Sequence, residues 1–263
     1  SFVGGCISWL FLISLSAPIA KYSTKLGPFD FFSLVLLALV LIASIGGKSI
    51  SRSFFSALLG VFASLPGIDK ATGNLRLTFG MEELNGGLKL LPVLIGMFAI
   101  SQIILDLCRI GETITVIPVK RKREMLFKVK DWKDQALNLI RSSVIGTWIG
   151  ILPGIGANIG SVTAYSAAKS MATPEEKEQF GKGSEIGIVA AESANNATIG
   201  GSLIPLISLG IPGSVIDAIL LGGLLIHGLQ PGPLLFQQNP EMVYTIMGST
   251  IVANVFMFFF MVF

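Results

Sequence analysis

Residues 192–214 read ESANNATIGGSLIPLISLGIPGS. The stretch carries one carboxylate, two adjacent asparagines, four glycines and two prolines, and long apolar segments surround it. Polar side chains at membrane depth are costly, so a functional use is the first hypothesis for them. Unwound backbone survives there only when it is buried in protein or lines a wet cavity. Asparagine supplies amide donors and a carbonyl acceptor. Its oxygens and unwound carbonyls suit a small hard cation, while the free N–H groups of a half-helix N-terminus suit a carboxylate. Discontinuous helices that meet at mid-membrane are the pattern of secondary transporters. The glycines and Pro205 predict that the helix breaks within NNATIGGSLIP, residues 195–205.

Composition explains why membrane depth is the right frame. The chain has 263 residues, 52% hydrophobic and only 13% charged. A soluble domain is near 25% charged. A membrane helix needs about 20 mostly apolar residues, and residues 2–20, 31–46, 53–68, 88–107, 215–229 and 246–263 meet or approach this. A net charge of +3 is too small to suggest nucleic acid. The chain begins at Ser1, and both ends fall inside apolar runs. A piece of a longer polytopic protein is therefore expected. Cys6 and Cys108 have neither metal nor redox spacing and read as small buried thiols.

Charge is clustered. VKRKREMLFKVKDWKD, residues 119–134, concentrates Lys and Arg, and such short loops stay cytoplasmic. They also touch anionic lipid heads. Residues 88–107 then enter from outside, and residues 69–87 form an outer loop. Four regions follow: middle transmembrane helices over 1–107, a basic cytoplasmic loop over 108–140, a transport unit over 141–235, and a loop with the start of a further helix over 236–263.

Within the transport unit, residues 141–170 are apolar but interrupted by Pro153, Gly154 and Gly156. Gly146, Gly150, Gly154 and Gly160 make a small-residue ladder of the kind that lets helices pack closely. Packing does not account for the proline, which frees a carbonyl in mid-membrane. Two half-helices joined at LPGIGAN are expected, as a re-entrant hairpin or as one broken span. Thr173 and Glu176 have capping-box spacing, with Pro174 at the first helical position. They predict a short surface helix ending at Gly181.

The LPGIGAN and NNATIGGSLIP breaks are expected to face each other. The candidate site comprises Gly154, Gly156, Ala157 and Asn158 from the first, and Glu192, Asn195, Asn196, Thr198, Gly200, Gly201 and Ser202 from the second. Sodium at Asn195 and Asn196 is one option. Helix–helix hydrogen bonding is the plain alternative for Ser202 and Thr163. Glu192 reads equally as an ion-coupling group or a structural one. Asp217 is a helix-start residue or a cation ligand. His227 is a packing residue or a proton relay. The sequon at Asn196 is discounted at membrane depth, and GGKS at 46–49 lacks the first glycine of a phosphate loop.

LPGIGANIGSVTAY (152–165), FGKGSEIGIVAAESANNATIGGSLIPLISLGIPG (180–213), HGLQPGPLLF (227–236) and GNLRLTFGMEELNGG (73–87) closely resemble the large membrane subunit of tripartite tricarboxylate transporters, the TctA-type family. The resemblance runs nearly end to end. It implies an all-α polytopic protein of the bacterial inner membrane. Its fold would be an inverted-repeat, elevator-like secondary transporter with broken or re-entrant helices. Related elevator-type carriers favour the hairpin for 141–170. The family imports citrate-like or related carboxylates by Na+ or H+ symport, with a small TctB-type membrane subunit and a periplasmic TctC-type binding protein, and needs no further cofactor. The family is internally duplicated, and this chain holds the middle helices and the second repeat. Members often carry proline where this chain has Ala191, so a straighter helix is expected here.

Two other classes are weighed against the carrier. An intramembrane hydrolase would rest on Glu192 and Asp217, but with one histidine the chain has neither HExxH nor GxSxG. A purely structural membrane subunit would leave the asparagines with packing roles alone.

Overall fold

The computed structural model describes residues 1–45, 50–69, 72–89, 92–93, 95–108 and 129–262. GGKS and the basic residues 120–128 lie outside the described residues. In chain order come α1 (Phe2–Ser23), α2 (Pro28–Ile45) and α3 (Ile50–Ala63). A small ribbon follows, β1 (Gly67–Ile68) antiparallel to β2 (Leu75–Arg76), with Gly67 opposite Arg76. Asp69 and Arg76 close it with an ion pair of 3.5 Å. A π-helical turn, Ile95–Ile100, runs into α4 (Ser101–Cys108). Then come α5 (Val129–Ile151), α6 (Gly156–Met171), α7 (Pro174–Lys177), α8 (Glu185–Leu209), α9 (Val215–Ile226), α10 (Leu235–Gln238) and α11 (Pro240–Val262).

The centre of the fold is α8, with α1, α5 and α6 packed round it. Each neighbour presents small residues four apart. On α1 the buried stripe is Gly4, Ser8, Leu12, Ser16 and Ala20. On α6 it is Gly160, Ala164 and Ala168. Side chains this small let backbones touch: Gly4 lies on the carbonyl of Ser193, Gly146 on that of Ala194, Gly150 on that of Thr198, and Gly201 on that of Thr147. In lipid such contacts replace the hydrophobic drive between helices, because the tails are as apolar as leucine.

Larger side chains fill the far end of α8. Leu203, Ile204, Leu206 and Ile207 pack with Leu12, Leu235, Val243 and Met247. The Trp9 indole N–H donates to the Met247 carbonyl at 2.8 Å and ties α1 to α11. At the other end Phe180 meets the edge of Tyr165, ring centres 5.2 Å apart, over Ala168 and Ala190. The predicted capping box is present: Glu176 N–H donates to Thr173, and Glu176 accepts from the Thr173 N–H at 2.8 Å.

Phe2–Ser23 and Pro240–Met261 are long and apolar enough to cross a membrane. On α2 and α3, Phe29, Phe32, Phe54, Phe55 and Phe62 are exposed, a surface that only lipid or further protein would cover.

Several expectations are corrected. Residues 215–229 do not form a span, because α9 has 12 residues, roughly 18 Å at ~1.5 Å each, against a core of about 30 Å. The loop assigned to 108–140 ends early, because α5 starts at Val129. Cys108 is exposed and Cys6 is half-buried beside Asn254.

The main correction concerns NNATIGGSLIP. Helix α8 runs unbroken from Glu185 to Leu209, through both asparagines, both glycines and Pro205. In an apolar setting the helical ladder satisfies the backbone groups except the Gly201 carbonyl, which Pro205 cannot reach with an N–H, whereas unwinding would strand many more. Neighbouring backbones also fill the space the glycines leave. The break comes later, at Gly210, which is left-handed (φ 73). Its N–H bonds Leu206 at 3.0 Å, and Ile211 N–H bonds the Pro205 carbonyl at 3.3 Å, closing the helix end.

Candidate functional site

The turn after α5 and the loop after α8 meet. Residues 141–170 form a helical hairpin: Gly160 of α6 lies beside Gly146 and Ile149 of α5, and Arg141 Nη1 reaches Met171 Sδ at 3.1 Å. The turn between them holds Gly154 (φ 77) and Gly156 (φ 73) in left-handed backbone that disfavours other residues. At its tip the Gly154 N–H donates to the Gly213 carbonyl at 3.0 Å. Gly213 in turn is clasped. A Cβ there would lie 2.7 Å from Ser202 Cβ and 2.9 Å from the Gly150 carbonyl oxygen.

Immediately after this contact α9 begins. Ser214 caps it, accepting from Asp217 N–H at 3.2 Å and donating to Asp217 Oδ2 at 2.7 Å. The Asp217 residue is 3% exposed, and Ser202 also lies against its carboxylate. The site therefore gathers Gly154, Ser202, Gly213, Ser214 and Asp217 from the α5–α6 turn, α8, the α8–α9 loop and α9. Beside it, α6 starts without a side-chain cap. The first-turn N–H groups of Gly156, Ala157 and Asn158 thus have no side-chain acceptor from that position, and they form the positive end of the helix.

The other predicted residues divide into two groups. Thr198, Gly200 and Gly201 are engaged in packing. Thr198 Oγ1 bonds the carbonyls of Ala194 (2.8 Å) and Gly146 (3.2 Å), while Gly200 and Gly201 touch Ser8 and Thr147. Ser202 bonds the Ile199 carbonyl at 3.1 Å. Glu192, Asn195 and Asn196 lie nearer the start of α8. From 192 to 202 is roughly 15 Å along the axis at ~1.5 Å per residue. Asn196 donates to Met257 Sδ at 3.4 Å. Asn195 is half-buried, and no hydrogen bond ties it to the described residues. Glu192 is exposed, accepts from Ser1 Oγ at 3.3 Å, and borders a mostly apolar cavity of about 290 Å³ with Trp132, Gln135 and Met257. Glu192 and Asp217 thus have separate surroundings and form no dyad. His227 is exposed at the end of α9.

Sequence reasoning left Asp217 open and did not place Gly213 or Ser214 in the site. The available signal was Ser214–Asp217 at capping-box spacing, directly after GIPG.

Comparison with known proteins agrees over the whole length. Residues 1–263 match the tripartite tricarboxylate transporter TctA family. The uncharacterized 52.8 kDa protein of the TAR-I ttuC' 3' region of Agrobacterium vitis is 31% identical over 254 residues, 97% of this chain and 50% of its own length. The uncharacterized protein of the TAR-II ttuC' 3' region of Agrobacterium vitis is 35% identical over 109 residues, 41% of this chain and 44% of its own. This chain spans about half the length of these curated relatives or less. No solved structure matches. A helical chain with membrane-length apolar helices, matched from its first residue to its last, belongs to the tripartite tricarboxylate transporter TctA family, a family of transporters.

Proposed function

We propose that this chain is the second-repeat half of the large permease subunit of a binding-protein-dependent carboxylate importer. The observation that carries the reading is the contact of the α5–α6 turn with the α8–α9 loop, Gly154 to Gly213 at 3.0 Å. Two interruptions of helix that close on each other offer both kinds of helix end in one place. The N-terminus of α6, with Gly156, Ala157 and Asn158, holds the substrate carboxylate. Asn195, Asn196 and Glu192 extend the site along α8 toward the half of the protein contributed by the first repeat. Thr198, Gly200 and Gly201 hold the α5–α6 hairpin and α1 against α8.

A periplasmic binding protein delivers the substrate, a tricarboxylate or related carboxylate, to the outer face. A small membrane subunit completes the complex in the bacterial inner membrane. A mobile unit containing residues 141–170 and 186–229, within the transport unit of 141–235, carries the site across by alternating access, driven by Na+ or H+. The test is uptake of radiolabelled carboxylates by the intact complex in proteoliposomes, with Na+ and pH gradients imposed separately. Gradient-driven accumulation is expected. A complete assembly that accumulates no carboxylate under either gradient overturns the reading.

A further inference from the structure

We propose that Asp217 binds the coupling cation, a proton or a sodium ion. The proposal rests on the transport reading above and names the group that carries the charge.

The carboxylate is buried at 3% exposure. Residues 146–158 and 198–216, which flank the Gly154–Gly213 contact, contain no charged or titratable side chain. No basic group pairs with Asp217 among the described residues. Glu192 faces the cavity further along α8, and His227 is exposed at the opposite end of α9. The N-terminus of α9 offsets about half a charge. The Ser214 and Ser202 hydroxyls and the backbone of Gly213 and Ser214 also bond the carboxylate, but none of them carries a counter-charge, and an ionised carboxylate without one is poorly tolerated in an apolar interior.

A capping role alone does not account for the arrangement. Capping needs only Ser214 and backbone, and works equally well on an exposed helix end. Here a second hydroxyl, Ser202, comes from α8, and a carbonyl, Gly150, comes from the C-terminal end of α5 to the same loop. That end carries the negative pole of its helix. The side chains against the carboxylate, Ser214 and Ser202, present hydroxyl oxygens, which suits a hard cation. The loop that caps Asp217 is the one that receives Gly154, so cation binding and the turn proposed to hold the substrate share Gly213. Filling one therefore biases the other, as coupling requires.

The test uses the intact complex and its D217N variant, which keeps the shape and capping capacity of the side chain but removes its charge. Thermal unfolding is followed while Na+ replaces K+ at constant ionic strength, and separately as pH is varied. A ligand that binds only the folded state raises Tm. The wild type is expected to gain on the order of a few degrees over a hundredfold rise in cation. A gain in the Na+ series identifies sodium, and one in the pH series identifies the proton. D217N is expected to lose that gain. A variant that keeps it, or a wild type that gains in neither series, overturns the proposal. If D217N cannot be recovered folded, S202A replaces it. Its half-saturating cation concentration is expected to rise about tenfold, roughly one lost ligand contact, and an unchanged value overturns the proposal. A complex that shows the cation-dependent gain but transports no carboxylate leaves the cation site standing and removes the transport reading instead.

Discussion

The backbone N–H of Gly154, at the tip of the α5–α6 hairpin, donates to the carbonyl of Gly213, in the loop that ends α8, across 3.0 Å. This one bond joins two segments that are far apart in sequence and gives the break after α8 a fixed partner. It depends on close approach, because Ser202 and the Gly150 carbonyl both crowd the position that a Cβ of Gly213 would take.

Replacing Gly213 with alanine should therefore part the two loops. The added carbon would sit 2.7 Å from Ser202 Cβ and 2.9 Å from a backbone oxygen, and neither is the free end of a flexible chain. A loss of about 1–3 kcal/mol is expected, read as a lower Tm in detergent, together with reduced uptake. Gly223→Ala is the control. Nothing lies within 4 Å of that position in α9, so the better helix former should be neutral or stabilising by up to about 1 kcal/mol.

Gly156 tests conformation without crowding. Its φ is 73 and a Cβ would meet nothing within 4 Å. Gly156→Ala should lose roughly 1–2 kcal/mol through the left-handed backbone alone. Gly156→Asn should lose less, because asparagine visits that region more readily. Equal unfolding temperatures for the two variants would count against this account.

For Asn195 stability and function should separate. The side chain has no bond to lose among the described residues, so Asn195→Ala should move stability within about 0.5 kcal/mol. Uptake in proteoliposomes should fall at least about tenfold if the side chain meets substrate or cation, the size of one lost polar contact. Wild-type uptake would confine Asn195 to packing.

Thr173 is a local matter. Thr173→Ala removes the cap of the surface helix that starts at Pro174, for a cost of about 1 kcal/mol. Hydrogen exchange at Glu176 should speed up roughly fivefold. Amides within α8 should keep their protection.

Some of this fold is legible residue by residue. PGIG requires a turn, because proline ends a helix and two glycines accept left-handed backbone. Thr173, Pro174 and Glu176 make a cap whose geometry is local. The apolar runs and the spacing of Gly146, Gly150, Gly154 and Gly160 announce helices that pack closely in lipid. In each case the physics acts within a few residues, so the sequence is enough.

NNATIGGSLIP shows where that ends. Glycine, asparagine and proline are poor helix formers by local propensity, yet α8 passes through all of them. Propensity is overridden once α1, α5 and α6 press their own small residues against those glycines and an apolar setting penalises every stranded amide. Which glycines turn the chain and which admit a neighbour depends on what stands opposite, and that is a property of the assembled helices. The same holds for Asp217. By itself, the sequence determined a membrane-embedded helical chain, the PGIG turn and a short capped surface helix. Only the tertiary structure decided that α8 stays whole, that its break falls after Leu209, and that the break closes on the hairpin tip beside a buried carboxylate. Those outcomes rest on contacts between segments distant in the chain, and no local rule contains them.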